Sequence, residues 1–145
     1  MKRFALVTGA ILICILGYTV LSGKSEGAKG GIQFYEGSWE QTLKKAAAEN
    51  KPIFMDIYAT WCGPCKMLKK KTFANKAAGT YFNANYISVS FDGENGDGVM
   101  LANKFHITGY PTLIILSKTG ELINLQTGYV DADELVTFGK QSYRK

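Results

Sequence analysis

The chain has 145 residues, of which 46% are hydrophobic, and it carries a formal net charge of +5 at pH 7. This length suits one domain with its own core, and the hydrophobic content excludes an intrinsically disordered chain. Three cysteines are too few for a small disulfide-stapled scaffold. The positive charge is modest, and we expect the run Lys69-Lys70-Lys71 to be a solvated helix face, so no nucleic-acid partner is predicted.

The N-terminal segment is typical of an exported protein. Met1-Lys2-Arg3 is followed by an uncharged stretch from Phe4 to Leu21, which fits a signal peptide and also the length of a short membrane helix. Residues 1–23 are therefore predicted to be either a cleaved signal peptide or an N-terminal membrane anchor. Residues 24–31 are predicted to be a flexible linker because Gly, Ser and Lys dominate them. We expect a periplasmic or other extracytoplasmic location for the folded domain, residues 32–145.

The first elements of that domain follow from capping and hydrophobic patterns. Residues 33–35 could form a short strand, and Ser38 with Gln41 forms a capping-box pattern that opens a helix. Asn50-Lys51-Pro52 ends this helix. The apolar run Ile53–Ala59 then predicts a strand that is buried on both faces.

Two cysteines follow the end of this strand in the sequence Trp61-Cys62-Gly63-Pro64-Cys65-Lys66. Helical spacing of the apolar residues after them places Cys62 at a helix start, where proline is tolerated. The free N–H groups and the positive end of the helix dipole stabilise an anion there, so Cys62 is predicted to be the outer, attacking thiol. Cys65 lies about one turn deeper, within reach of a disulfide, and is predicted to be the resolving thiol.

Two other uses of the cysteines stay open at this point. Zinc needs about four ligands, and the whole chain offers three cysteines and one histidine. A permanent disulfide between Cys62 and Cys65 would close too short a loop to stabilise the fold much. We therefore expect no metal site and favour a redox pair.

The second half of the domain predicts alternating helices and strands. We expect a helix at residues 76–82, a strand at 86–91 and a second helix at 99–105. A hairpin of two strands, 112–116 and 121–125, and a closing helix at 131–143 follow. Together with the earlier elements this gives an α/β fold with a central mixed β-sheet flanked by helices on both faces.

Three further residues are candidates for the site. Asp56 is a carboxylate within an apolar strand, so burial should raise its pKa and let it exchange a proton with Cys65, unless it bonds only to the backbone. Pro111 follows Gly109 and Tyr110 and could have a cis peptide bond or lie in an ordinary turn. Trp61 could cover the cysteines or belong to the core.

The hexapeptide around the cysteines, together with Gly109-Tyr110-Pro111-Thr112, resembles the thioredoxin superfamily over residues 32–145. Within the superfamily, the chain is most similar to secreted or membrane-tethered domains, such as the periplasmic C-terminal domains of transmembrane thiol:disulfide interchange reductases. The resemblance implies a thioredoxin-like fold. It also implies that Asp56 assists the inner thiol, although Ser88 replaces the lysine that is common on the neighbouring strand.

The same resemblance predicts a substrate groove around the cysteine pair. Tyr110 and Pro111 would contact an extended substrate, and Gly128 would form a third segment of the groove. Trp61, Gly63 and Pro64 would line it beside Cys62, and Gly63-Pro64 resembles the reducing members of the superfamily.

These observations predict an exported thiol:disulfide oxidoreductase that reduces protein disulfides through a Cys62–Cys65 pair. The sequence has no nucleotide-binding fingerprint, so we expect no cofactor beyond the cysteines. Electrons would come from a membrane-bound or soluble thiol donor, and we expect a monomer. A disulfide oxidant or isomerase is the alternative enzyme, and a non-catalytic thioredoxin-like binding module is the alternative from another class.

Overall fold

The computed structural model describes residues 30–143, so the predicted leader and most of the linker lie outside the described residues. Its helices are α1 (Trp39–Glu49), α2 (Gly63–Met67), α3 (Lys76–Asn85), α4 (Asp97–Lys104) and α5 (Ala132–Tyr143), with a π-helical turn at Leu68–Thr72. Its strands are β1 (Ile53–Tyr58), β2 (Ile87–Asp92), β3 (Thr112–Leu116) and β4 (Leu122–Thr127). Among residues 30–143, no helix is both long and apolar enough to cross a membrane.

The four strands form one mixed sheet in the order β2-β1-β3-β4. β1 runs parallel to β2, with Asp56 opposite Ser90, and antiparallel to β3, with Asp56 opposite Leu113. β3 and β4 form the predicted hairpin. The α/β fold with a central mixed sheet is confirmed.

The short strand expected at residues 33–35 is reduced to one bridge between Phe34 and Ser88. The backbone N–H of Tyr35 donates to Ser88, whereas that of Ile32 donates to Phe73, at the end of the π-helical turn. Because the segment divides its hydrogen bonds between two elements, it cannot extend a regular ladder along β2.

The sheet separates two apolar cores, one on each face. Ile53, Met55 and Ile57 of β1 pack toward α1 and α4. Phe54 lies on the opposite face, in a cluster with residues of the π-helical turn, α3 and α5. Because helices cover both faces, β1 is buried almost throughout, as its continuous apolar run predicts.

Local side-chain caps fix the starts of α1 and α5. The predicted capping box at α1 is present, since Gln41 N–H donates to Ser38 Oγ and Ser38 N–H donates to Gln41 Oε1. The same reciprocal pair joins Asp131 and Glu134 at the start of α5. These caps satisfy backbone N–H groups that a helix leaves free at its start.

Candidate active site

The cysteine pair lies where the chain leaves β1 and enters α2. Cys62 is the residue that caps α2, and Pro64 lies in the first turn of that helix. Cys62 and Cys65 are joined in a disulfide, with their Cα atoms 5.3 Å apart. The backbone N–H of Cys65 donates to Cys62 Sγ at 3.1 Å. When the pair is reduced, this N–H points at the sulfur that would carry a negative charge.

The disulfide is more enclosed than expected for an outer attacking thiol. Cys62 is 2% exposed and Cys65 is 7% exposed, so the outer cysteine has no advantage in exposure. Ala59 packs against the two cysteines, and the half-buried rings of Tyr58 and Tyr110 add to this small cluster. The sequence predicts that the cysteines lie at a helix start, but it does not predict the side chains that cover them.

Asp56 lies on β1, on the face of the sheet that also packs the active-site helix. It is 5% exposed, and burial raises the pKa of its carboxyl from 3.8 to about 7, although the Ser90 hydroxyl and Lys69 act against this rise. Ser90 Oγ donates to Asp56 Oδ2 at 2.8 Å. A carboxyl group with this pKa can hold or release a proton near neutral pH.

The neighbour of Asp56 differs from the residue expected from the resemblance. Ser90, two residues beyond Ser88, makes the hydrogen bond because the register of β1 and β2 places it directly opposite Asp56. Within the described part of the chain, Asp56 Oδ1 and Ser88 Oγ are buried and have no hydrogen-bond partner.

The segment before β3 is held next to the cysteine pair. The Tyr110–Pro111 peptide bond is cis, and Thr112 Oγ1 donates to the Gly109 carbonyl oxygen at 2.7 Å. Gly128 N–H donates to the Pro111 carbonyl oxygen at 2.8 Å, which joins the two predicted groove segments. Gly128 has a φ of +106°, a conformation that favours glycine.

Trp61 is on the surface, so the alternative of a core tryptophan is wrong. Its side chain is 67% exposed, and its ring meets that of Tyr110 edge-on with centroids 6.0 Å apart. Trp61 Nε1 donates to both carboxylate oxygens of Glu94, each at 3.1 Å. Gly63 and Pro64 are also exposed beside the cysteines.

Glu94 is the site residue that the sequence did not indicate. It lies in the short loop of residues 93–96 between β2 and α4. Only the pairing of β2 with β1 brings this loop beside Trp61, since 33 residues separate the two side chains along the chain.

Among residues 30–143, no three metal-binding side chains come together. The candidate site consists of a disulfide at a helix start, a buried carboxyl group with a raised pKa, a cis-proline turn and two aromatic side chains.

Comparisons with known proteins place this arrangement in a family. The model of the thioredoxin-like domain matches residues 39–142. The chain belongs to the thioredoxin-like family, and the resemblance inferred from the two motifs is confirmed.

Related proteins carry thiol–disulfide exchange in their names. The thiol:disulfide interchange protein DsbD of Yersinia pestis is 31% identical over 94 residues, which is 63% of this chain and 16% of that protein. DsbD of Campylobacter jejuni is 29% identical over 103 residues, 70% of this chain and 18% of that protein. The chain thus matches less than a fifth of the length of these relatives.

Solved structures give the same fold. A putative disulphide-isomerase from Bacteroides thetaiotaomicron is 37% identical, with a TM-score of 0.72 over 82% of this chain and 98% of that one. The C-terminal domain of Neisseria meningitidis DsbD, in its oxidised form, is 20% identical, with a TM-score of 0.60 over 71% of this chain and 91% of that one. The fold, the cysteine pair and the relatives together are those of a thioredoxin-like domain with a disulfide at the start of a helix.

Proposed function

We propose that this domain reduces disulfides in proteins outside the cytoplasm, with Cys62 as the attacking thiol and Cys65 as the resolving thiol. The observation that carries the proposal is the sulfur of Cys62 at the start of α2, where the Cys65 N–H donates to it. A thiolate at this position is stabilised, and its partner sulfur is already within bonding distance.

The exchange proceeds in two balanced steps. The Cys62 thiolate attacks one sulfur of a substrate disulfide, the substrate S–S bond breaks, and one substrate sulfur leaves as a thiolate. Cys65 then loses its proton and attacks Cys62 Sγ, which releases the second substrate sulfur as a thiolate and forms the Cys62–Cys65 disulfide. The substrate gains two electrons and the cysteine pair loses them.

Asp56 is suited to take the proton that Cys65 loses. Its pKa of about 7 means that the carboxyl can accept a proton in the resolving step and return it when the pair is reduced again. Tyr110, Pro111 and Gly128 are proposed to bind the backbone of the substrate, with Trp61, Gly63 and Pro64 beside the attacking sulfur.

The electron donor is proposed to be a second thiol protein, membrane-bound or soluble, and no cofactor is required. The names of the DsbD relatives support a place in a chain of thiol–disulfide interchange. The predicted leader supports export, with the domain either released into the periplasm or tethered to the membrane. We propose that the domain acts as a monomer.

Trapping with a defined disulfide protein tests the order of the two cysteines. Cys65→Ser in the full chain should accumulate a mixed disulfide between Cys62 and insulin, visible on a non-reducing gel, because the resolving sulfur is gone. Cys62→Ser is the matched control and should trap none, provided that both variants also carry Cys14→Ser so that one cysteine remains in each. A mixed disulfide through Cys65 in Cys62→Ser, with none in Cys65→Ser, would reverse the assigned roles.

A disulfide isomerase is the second candidate, favoured by the name of the Bacteroides structure. The two activities differ in redox poise and in substrate. Equilibration with glutathione should give a strongly reducing pair for a reductase, and scrambled ribonuclease should regain activity only with an isomerase. A strongly oxidising pair would contradict the reducing direction.

A further inference from the structure

The disulfide is enclosed, although the proposed exchange requires another sulfur to approach Cys62 in line with the S–S bond. With Cys62 only 2% exposed, the described arrangement does not admit a protein thiolate. The inference below concerns this access and rests on the proposed function.

Tyr110 forms the inner layer of the enclosure. It packs on one side against the small cluster of Ala59, Cys62 and Cys65. On the other side it lies against the backbone of Gly93, where an added Cβ would be 2.6 Å from Tyr110 Cε1 and Tyr110 Oη. The ring therefore occupies its position only because residue 93 has no side chain.

Trp61 forms the outer layer and depends on Glu94. Its ring contacts Tyr110 edge-on, and 67% of its surface is exposed, so the protein holds it through few contacts. The indole N–H lies 3.1 Å from both carboxylate oxygens of Glu94. Within the described part of the chain, this is the hydrogen bond that fixes the indole ring.

We infer that Glu94 is a positioning residue that holds Trp61 and, through it, Tyr110 closed over the Cys62–Cys65 disulfide. A docking partner must break the Glu94–Trp61 hydrogen bond and move Tyr110 away from Gly93 before its sulfur can reach Cys62. Glu94 itself touches neither the substrate nor the reacting sulfurs.

A cover of this kind affects the rates at which the disulfide is reduced and the dithiol is oxidised. It leaves the equilibrium constant between the two forms unchanged. Displacing it is required whether the partner delivers electrons to the disulfide or takes them from the dithiol. Loss of the Glu94 hydrogen bond should therefore change both rates by a common factor.

The test measures how fast the disulfide of the oxidised full chain reacts with a water-soluble phosphine, tris(2-carboxyethyl)phosphine. Glu94→Ala should react about fivefold faster than the wild type, the factor that corresponds to one ordinary hydrogen bond. Glu94→Gln keeps an oxygen acceptor for the indole and should react at the wild-type rate. Glu121→Ala, which removes an exposed carboxylate from the β3–β4 turn, is the matched control and should also match the wild type.

Gly93→Ala provides an independent way to open the cover. The added methyl group displaces the Tyr110 ring and should also speed the reaction, although Glu94 is intact. The inference is overturned if Glu94→Ala reacts no faster than the wild type. It is also overturned if Glu94→Gln is as fast as Glu94→Ala, because the charge of Glu94, and not its hydrogen bond, would then control access of the anionic phosphine.

Equilibration with glutathione separates a cover from an electrostatic effect on the thiolate. The equilibrium constants of Glu94→Ala and wild type should agree, and a clear difference would overturn the inference. The phosphine reaction needs only an accessible sulfur. If the wild type fails to exchange with insulin or glutathione, the proposed function fails, while the phosphine series still decides whether Glu94 closes the site.

Discussion

The two faces of β1 differ in what they bury. One face carries Ile53, Met55 and Ile57, which meet an apolar cluster under α1 and α4. The other face carries Phe54 in an aromatic cluster and then Asp56, a carboxyl group with one hydrogen bond to Ser90. The residues of the first face stabilise the fold. On the second face, the buried carboxyl of Asp56 lowers stability near the end of the strand that leads to the disulfide.

This difference shows where the fold tolerates an unfavourable group. A buried carboxyl group with an unpartnered oxygen costs free energy, and β1 holds it only because apolar packing surrounds it on both faces. This cost supports the proposal that Asp56 is kept for proton exchange with Cys65. Four substitutions test this interpretation of the second face.

Phe54→Ala should have the largest effect on stability. The ring lies 4.5 Å from that of Phe82 and 6.0 Å from that of Phe73, measured between centroids, and is fully buried. Its removal should lower the free energy of unfolding by about 3–5 kcal/mol, because a cavity remains among the aromatic rings. Denaturant unfolding measures this loss, and a loss below about 1 kcal/mol would show that the cluster collapses around the missing ring.

Asp56→Asn, two residues further along the same face of β1, should raise the free energy of unfolding. The folded pKa of about 7 lies above the ordinary value of 3.8. Below pH 4 the carboxyl is protonated in both the folded and the unfolded chain, so it costs no stability. As the pH rises through 7, the free energy of unfolding falls by about 1.4 kcal/mol per pH unit between the unfolded and the folded pKa. The asparagine variant lacks this loss, so it should be more stable at pH 8, by about 4 kcal/mol at most.

Denaturant unfolding of both proteins at pH 5 and pH 8 checks this prediction. The difference between them should grow with pH, while disulfide exchange by the variant should slow because the proton acceptor is missing. An advantage of the variant that is equal at both pH values would contradict a raised pKa and indicate a packing effect.

Ser90→Ala and Ser88→Ala form a matched pair with smaller effects. Ser90 donates to the carboxylate of Asp56, so its loss should destabilise the protein by about 1–2 kcal/mol at pH 8 and by less at pH 5, where Asp56 is neutral. Ser88 Oγ has no partner in the described residues, so its removal should cost less than about 0.5 kcal/mol. Equal losses in the two variants would mean that Ser88 also bonds to Asp56.

The sequence was sufficient to predict those features that depend on local patterns. The run from Ile53 identifies β1, and the Ser38–Gln41 pattern identifies the start of α1. The helical spacing of apolar residues after the cysteines, together with Pro64, identifies the start of α2. Each of these signals is contained within a few neighbouring residues. The family also followed from two such motifs.

Features that depend on tertiary contacts were not predictable. The π-helical turn at Leu68–Thr72 ends where Thr72 Oγ1 donates to the Val130 carbonyl oxygen, 58 residues away. The choice of Ser90 over Ser88 follows from strand register. The Glu94–Trp61 hydrogen bond depends on the neighbouring positions of β1 and β2. No local pattern in the sequence specifies these distant partners.

The point at which the chain enters the domain has a consequence for its reach. Ile32 N–H donates to the Phe73 carbonyl oxygen, just beyond the end of the continuous helical run that Cys62 begins. Ten helical residues rise about 15 Å. A membrane tether attached ahead of Gly30 would therefore hold the domain at the end of the helical run that lies farther from the cysteine sulfurs. A domain tethered at this point would keep its cysteine pair free to meet large protein substrates.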